Sequence, residues 1–295
     1  MSEPRWSGSE LLAELGRFEA ELRRAGLRDH TVGTYVGRSE TFIRWLRGEY
    51  TPRGPNSSPA APVEDTGRLL GVAVLDDLRT GMSRDDIARY LASYAAVTGY
   101  DGSFRRLLTA TGGVMDLQSE DHRIEVITWL RAWGCRHLRR TDTHRTAEAL
   151  RIWWEEWGER LPSEQASLAG LREPDLLVIE QSYDALRAAP AAGRSRKDGE
   201  IDVLIGDTAA AKVMFATRPQ VFMPWDEPIR LAFGWWGGGA AYVQLLQLAA
   251  SALEGLASRV AVSVDDLPEI LGRPASSPPK IVDEFLWVRI TKGFD

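Results

Sequence analysis

An aspartate at the start of a predicted helix is the side chain in this sequence best placed to do chemistry. Asp226 lies in the stretch VFMPWDEPIRLAFG, residues 221–234, where Glu and Pro follow it. An aspartate in this position accepts hydrogen bonds from free backbone N–H groups, and proline suits the first helical turn. The simplest interpretation is a helix cap. The alternative is a carboxylate held ionised at the helix end, beside a pocket lined by Trp225, Trp235 and Trp236.

The residues before Asp226 form an ordered pattern. The run DVLIGDTAAAKVMFATRPQVFMPWDEPIRLAF, residues 202–233, contains a glycine, a Thr-Ala pair and a Phe-x-Pro-x-Asp-x-x-Ile segment. These positions are Gly206, Thr208, Ala209, Phe222, Pro224, Asp226 and Ile229. The run resembles the helix-hairpin-helix DNA glycosylases, a superfamily that includes the alkyl-purine and 8-oxoguanine enzymes. The alkyl-purine branch is closest over the last part of the run.

The resemblance implies base excision from double-stranded DNA that carries a damaged or modified base. In such an enzyme Asp226 would stabilise the oxocarbenium-like sugar as the base departs, or orient the attacking water, without a metal or an organic cofactor. Backbone N–H groups near Gly206 and Thr208 would hold a DNA phosphate. Flat aromatic walls suit an extruded base, and the pocket is predicted to comprise Trp225, Trp235, Trp236 and Trp153.

Two departures from the family pattern narrow the expected reaction. The usual hairpin has two glycines before the Thr-Ala pair, whereas VLIGDTAA has one, so a shortened hairpin is expected. Members that also cut the DNA backbone carry a Schiff-base lysine about eighteen residues before the aspartate, and Thr208 occupies that position here. We therefore predict a monofunctional enzyme that leaves an abasic site. Lys212, one helical turn beyond Thr208, is predicted to face DNA.

A basic stretch supplies the other candidate DNA contacts. It contains Arg136, Arg139, Arg140 and Arg145, with Asp142 as the only opposing charge. Such a cluster suits DNA phosphates, and an exposed charged loop without a ligand is the alternative. The whole chain has 36 Lys and Arg residues against 42 Asp and Glu residues, a net charge of -6. A protein with that charge is expected to bind nucleic acid only through a local patch.

The remaining composition argues against several classes of protein. The single cysteine, Cys135, excludes a disulfide framework and a four-cysteine iron–sulfur cluster, and it is compatible with a reducing cytoplasm. The histidines form no recognised zinc pair. The N-terminus lacks the charged-then-apolar pattern of a secretion signal. We predict a cytoplasmic protein with no membrane span and no obligate protein partner.

Helical periodicity dominates the sequence and predicts an all-α fold. Residues 1–50, through AGLRDHTVGTYVGRSETFIRWLRGEY, resemble the small helical SAM-like core-binding domain of tyrosine recombinases, with a second helix over 30–47. Residues 51–65 contain four prolines and have linker composition. Residues 66–295 are predicted to form one helical glycosylase-like domain, with a polar, mobile loop at 189–200. Its helices are predicted near 83–97, 119–133, 144–159, 173–188, 207–217, 226–233, 240–257, 265–271 and 280–290.

Three alternatives to the glycosylase hypothesis stay open. A non-catalytic DNA-binding protein would use Asp226 only as a cap and its tryptophans as core, and Asp226→Asn would then cost little stability because Asn caps about as well. A tyrosine-recombinase-type strand transferase would use Tyr183 as nucleophile, with His137 and Arg140 as an H-x-x-R pair. A helical interaction protein without nucleic acid would fit the acidic charge. A glycosylase would act on damaged DNA or, in antiviral defence, on modified phage DNA.

Overall fold

The chain divides into two compact units, Met1–Pro59 and Ala60–Asp295, and the division falls inside the proline-rich segment 51–65. A computed structural model describes residues 8–27, 32, 35–36, 39, 42–43, 69–196, 199–235 and 237–292. Helix α1 (Gly8–Arg24) belongs to the first unit and carries exposed ion pairs such as Arg23 with Glu19. Most of the predicted helix 30–47 lies outside the described residues.

The second unit is built almost entirely from helices. They are α2 (Leu70–Asp76), α3 (Arg84–Val97), α4 (Tyr100–Ala110), α5 (Glu120–Ala132), α6 (Thr143–Trp157), α7 (Glu173–Ala188), α8 (Gly206–Thr217), α9 (Glu227–Ala232), α10 (Gly239–Val260), α11 (Leu267–Ile270) and α12 (Pro278–Leu286). Two π-helical segments, Asp77–Gly81 and Trp287–Lys292, follow α2 and α12. The all-α class is confirmed. Among the described helices, none alone has the length and apolar character needed to cross a membrane.

The segment 189–200, predicted to be a mobile loop, instead contributes to a β-hairpin. Strand β1 (Pro190–Arg196) pairs antiparallel with strand β2 (Gly199–Leu204). The Ile205 N–H donates to the Ala189 carbonyl oxygen (2.9 Å) and closes the base of the hairpin. The Thr146 hydroxyl donates to the Ala191 carbonyl oxygen (2.8 Å) and ties the hairpin to α6. The prediction was wrong because the buried alanines at the base provide an anchor that polarity alone did not indicate.

An aromatic cluster between α7 and α10 fixes the segment that leads into α9. The rings of Tyr183 and Tyr242 stack with their centroids 4.4 Å apart. Trp225 Nε1 donates to the Tyr183 hydroxyl (2.7 Å), and the Tyr242 hydroxyl donates to the Met223 carbonyl oxygen (2.8 Å). All three aromatic side chains are buried. Because these bonds hold the backbone on both sides of Pro224, they set where Asp226 emerges.

A glycine-rich turn before α10 lets three elements approach closely. Gly237 has φ +125°, and a Cβ atom there would lie 2.3 Å from Asp207 Oδ1. A Cβ atom on Gly239 would lie 2.3 Å from the Glu180 carbonyl oxygen of α7. The Asp207 carboxylate accepts from the Gly238 N–H (2.8 Å) and from Arg187 Nε (2.8 Å). The turn therefore packs α10 against both α7 and α8.

Gly239→Ala is expected to destabilise the second unit. The added methyl group meets a backbone oxygen that cannot move aside, and overpacking of this kind costs about 1–3 kcal/mol. Gly102→Ala in α4 is the matched control, since the nearest atom to its Cβ is the flexible end of Arg106 at 3.8 Å. The control should gain up to about 1 kcal/mol from helix propensity. Urea unfolding followed by circular dichroism measures both, and equal destabilisation of the two variants would contradict the close packing of Gly239.

Candidate functional site

Helices α8 and α9 bring a lysine and an aspartate into direct contact. Lys212 Nζ lies 2.8 Å from Asp226 Oδ1, and it also donates to the Trp133 carbonyl oxygen at 2.7 Å. The Lys212 side chain is 5% exposed, whereas that of Asp226 is 31% exposed. The expectation that Lys212 faces DNA is therefore wrong. The reason is that α8 is buried along nearly its whole length. The Lys212 ammonium group therefore forms an ion pair with Asp226 inside the protein instead of facing solvent.

Asp226 stands at the N-cap position of α9, but its carboxylate does not cap the helix. The side chain makes no capping hydrogen bond, and only its backbone carbonyl oxygen accepts from the Arg230 N–H (3.1 Å). The ion pair occupies Oδ1, while Oδ2 has no hydrogen-bond partner within the described part of the chain. With about a third of its surface exposed, the carboxylate is open to a ligand on one side.

Arg230 is a member of the site that the sequence did not single out. Arg230 lies in α9, four residues after Asp226, and is 9% exposed. Nη1 donates to the Thr208 hydroxyl of α8 (2.9 Å), and the guanidinium group lies 5.6 Å from the Trp225 ring centre. No described carboxylate forms an ion pair with it. A guanidinium group so deeply buried without an opposing carboxylate favours an anionic ligand.

The tryptophans predicted to line a base pocket take different positions. Trp225 is fully buried and bonded to Tyr183, so it fills the core. Trp153 is also buried, with Nε1 donating to the Ser182 carbonyl oxygen (2.8 Å), and it borders an apolar cavity of about 270 Å³ to which Asp226 does not contribute. Trp235 is half-buried and stacks on Phe233. Trp236 lies outside the described residues.

The basic stretch and the start of α8 are neighbours. His137 Nε2 donates to the Ile205 carbonyl oxygen (2.9 Å), directly before Gly206. Arg131 Nε donates to the Leu138 carbonyl oxygen (2.7 Å) and fixes the loop from the side of α5. Arg136, Arg139 and Arg140 are exposed on this loop. The loop that carries these arginines therefore contacts the chain directly before Gly206, through His137.

Arg145 differs from the other predicted DNA-binding arginines. Its guanidinium group pairs with Asp202 of β2 and links α6 to the hairpin. Gly206 has φ +74°, which lets the chain turn from β2 into α8. The connection between α7 and α8 is thus a β-hairpin rather than a short glycine-rich loop. Asp207 in the first turn of α8 forms an ion pair with Arg187. The positive end of this helix therefore already has one carboxylate beside it.

Tyr183 is placed where it cannot act as the nucleophile of a strand transferase. The residue has no exposed surface, and its hydroxyl donates to the Asp207 carbonyl oxygen (2.9 Å). Burial raises the pKa of Tyr183 well above its ordinary value, so the phenol stays neutral. His137 of the H-x-x-R pair is bonded to the backbone at Ile205. Cys135 is likewise inert, because burial raises the pKa of its thiol to about 11.

Comparison of the chain with models of protein families, with curated proteins and with solved structures found no match. The resemblance over residues 202–233 therefore stays a prediction. In the described ranges, no group of three or more His, Cys, Asp or Glu side chains is arranged to hold a metal ion. The chemistry available at the site is that of one accessible carboxylate, two buried cations and a set of exposed arginines.

Asp226→Asn is expected to destabilise the fold, contrary to the expectation for a simple cap. The variant leaves the Lys212 ammonium group buried without its carboxylate, at a cost of about 1–3 kcal/mol once the partial exposure of Asp226 is considered. The double variant Lys212→Met and Asp226→Asn removes both charges and should recover most of that loss. Urea unfolding of the two single variants and the double variant measures the coupling. Additive effects would show that the pair contributes nothing to stability.

Proposed function

We propose that the protein is a monofunctional DNA glycosylase that uses Asp226 to hydrolyse the bond between a damaged or modified base and its sugar. The observation that carries the proposal is the ion pair of Asp226 with Lys212. It holds a part-exposed carboxylate in one position, with one oxygen engaged and the other available. The exposed arginines beside the start of α8 supply a local positive surface on an acidic chain.

The ion pair suits a reaction in which positive charge develops on a sugar. As the base departs, the deoxyribose acquires oxocarbenium character, and a fixed carboxylate stabilises it or orients the attacking water. Asp226 Oδ2 is the oxygen available for that contact. Lys212 Nζ lies against the Asp226 carboxylate and donates to the Trp133 carbonyl oxygen, and the side chain is almost fully buried, so it is not presented to C1′ of a sugar. This supports hydrolysis without a Schiff base, and hence an abasic product.

DNA binding in the proposal depends on two groups of cations. Arg136, Arg139 and Arg140 are exposed on the loop that borders α8 and suit backbone phosphates. Arg230 adds a buried guanidinium group, bonded to Thr208, in the same region. Phosphate contacts fix the register of a protein on the duplex, so these groups would bring the target sugar to Asp226. The base itself has to leave the stack before hydrolysis.

A non-catalytic DNA-binding protein is the second candidate, and the burial of Lys212 favours it. A buried lysine needs an opposing carboxylate whatever the protein does, so the same ion pair also fits a purely structural role. The arginine surface would be unchanged in that case. The two candidates differ in whether Asp226 supports chemistry on DNA.

Wild-type protein is expected to form abasic sites in duplex DNA that carries alkylated bases or the modified cytosines of phage DNA. Strand breaks that appear only after alkali treatment measure these sites. Asp226→Asn should lower the rate by about 100-fold or more, since a preorganised charge at the transition state is lost. Glu227→Gln is the matched control, because it removes the neighbouring exposed carboxylate. Each variant is assayed below its unfolding temperature.

Two results would decide against the catalytic candidate. One is excision that proceeds equally well in Asp226→Asn and Glu227→Gln. The other is the absence of abasic sites in either DNA while the wild type and Asp226→Asn bind it equally. The second result would leave the DNA-binding protein as the supported candidate.

Arg139→Gln with Arg140→Gln is expected to weaken DNA binding and its dependence on salt. If each arginine meets one phosphate, the slope of log K against log salt should fall by about 2. Arg84→Gln with Arg89→Gln removes the same charge from α3, where both side chains pair with neighbouring aspartates, and serves as the control. Fluorescence anisotropy over a salt series measures both. An equal loss in the two double variants would indicate a general effect of net charge.

A further inference from the structure

A second cavity, of about 350 Å³, lies between α4, the end of α8 and the loop that leads into α12. Neither Asp226 nor Lys212 lines it, so it is separate from the candidate site described above. Its volume is at the lower end of the range for small-molecule sites. The charges of its wall, and the apolar surface beside them, decide which class of molecule it suits.

The charged side chains that line the cavity are mostly cationic. The cations are Arg105 of α4, Arg273 of the loop and Lys280 of α12, and Asp101 is the one carboxylate among the described lining residues. Lys280 remains an ammonium ion. Burial alone would lower the pKa of Lys280, but the Asp283 carboxylate beside it raises that pKa above its ordinary value. Three positive groups in the wall thus stand against one negative group.

The carboxylates that balance the two buried cations lie behind the wall. Arg273 Nε donates to Glu284 Oε2 (2.8 Å), and Lys280 Nζ donates to Asp283 Oδ2 (2.5 Å). Glu284 has no exposed surface, Asp283 is 6% exposed, and neither of them lines the cavity. Because the energy between charges falls with distance, a ligand in the cavity interacts most strongly with the positive groups of these pairs. An anion is therefore favoured over a cation.

Two of the cations have N–H groups left for a ligand. Arg105 is exposed at the rim and forms no ion pair with a described carboxylate. The Arg273 side chain is 12% exposed, and its Nη1 atom has no hydrogen-bond partner within the described ranges. This nitrogen is not one of the polar atoms that the fold encloses without a partner, so solvent reaches it. Both guanidinium groups are thus accessible from the cavity.

Asp101 brings the two guanidinium groups to the same part of the wall. Arg273 Nη2 donates to Asp101 Oδ2 (2.5 Å). Arg105 follows Asp101 by four residues in α4, and residues at that spacing share one face of a helix. This arrangement suits a single carboxylate head group that accepts charge-assisted hydrogen bonds from Arg273 Nη1 and from Arg105.

The wall beside these groups is apolar. Phe104 and Leu108 of α4 and Pro219 after α8 are half-buried, so each leaves part of its surface to the cavity. Pro274 and Ala275 are exposed on the loop before α12. A ligand that covers this surface gains affinity from the apolar area it removes from water. The cavity therefore suits an anion that carries an apolar body.

We propose that this cavity is a binding site for a small organic anion, a carboxylate with an apolar body. The carboxylate accepts hydrogen bonds from Arg105 and Arg273. The apolar body lies against Phe104, Leu108 and Pro219. The site is independent of the proposed base excision and of the arginines proposed to bind DNA.

Ligand-observed NMR titration of the full chain at pH 7 and low salt, with benzoate, benzamide and benzamidine, tests the charge preference. The three probes share one ring and differ in charge. Benzoate should bind saturably with a Kd on the order of 1 mM, as expected for a ligand of about nine heavy atoms. Benzamide and benzamidine should each bind at least about 10-fold more weakly, because neither offers an anion to the two arginines. Acetate, which keeps the head group without the ring, should also bind at least about 10-fold more weakly.

Two pairs of variants locate the binding. Arg105→Gln should weaken benzoate binding about 5-fold or more, whereas Arg106→Gln, which removes the same charge from an exposed neighbour outside the cavity, should not. Ala275→Trp fills the cavity from an exposed wall position and should abolish binding, whereas Ala96→Trp on the exposed face of α3 should not change it. Circular dichroism checks that each variant folds, and the arginine pair decides the matter if Ala275→Trp unfolds.

The proposal is overturned by the absence of saturable benzoate binding or by an equal affinity for any of the other three probes. It is also overturned by an equal loss of benzoate binding in Arg105→Gln and Arg106→Gln, or by unchanged binding in a folded Ala275→Trp variant.

Discussion

The burial of one ammonium group constrains the site more than any other interaction. Lys212 lies on a helix that is covered on nearly all sides, and a lysine there is tolerated only with an opposing charge and a hydrogen-bond acceptor. Asp226 provides the charge, and the Trp133 carbonyl oxygen provides the acceptor. Because the lysine cannot move to solvent, the carboxylate is held at one place and one orientation. In the proposed reaction, a carboxylate positioned in this way would need no reorganisation when a substrate arrives.

The neighbouring elements determine where Asp226 lies. Hydrogen bonds from Trp225 to the Tyr183 hydroxyl and from Tyr242 to the Met223 carbonyl oxygen fix the chain before Asp226. The glycine-rich turn allows α10 to pack closely against α7 and α8. A β-hairpin, and not a short loop, connects α7 to α8. The loop that contains Arg136, Arg139 and Arg140 contacts the end of this hairpin, where His137 donates to the Ile205 carbonyl oxygen. Three exposed arginines therefore lie on one loop of an acidic protein, and the proposed DNA contacts depend on that loop.

Much of the helical framework was readable from the sequence, whereas the environment of the site was not. Helix α7 was predicted at its true limits, because polar and proline residues mark its start and apolar residues recur at helical spacing. Helix α4 was missed because Gly102 and Ser103 interrupt its pattern, and Ser103 is retained through its bond with Trp133. The burial of Lys212 and Arg230 depends on contacts between distant segments. No local pattern distinguishes them from surface residues.

In the proposed function, Asp226 stabilises positive charge on a sugar held at this site. The most direct measurement compares the affinity of the protein for two duplexes, one with a cationic pyrrolidine abasic analogue and one with a neutral tetrahydrofuran analogue. A carboxylate that stabilises an oxocarbenium-like transition state predicts binding at least about 100-fold tighter to the cationic duplex, and Asp226→Asn should lose that preference. Equal affinity of the wild-type protein for the two duplexes would contradict the account.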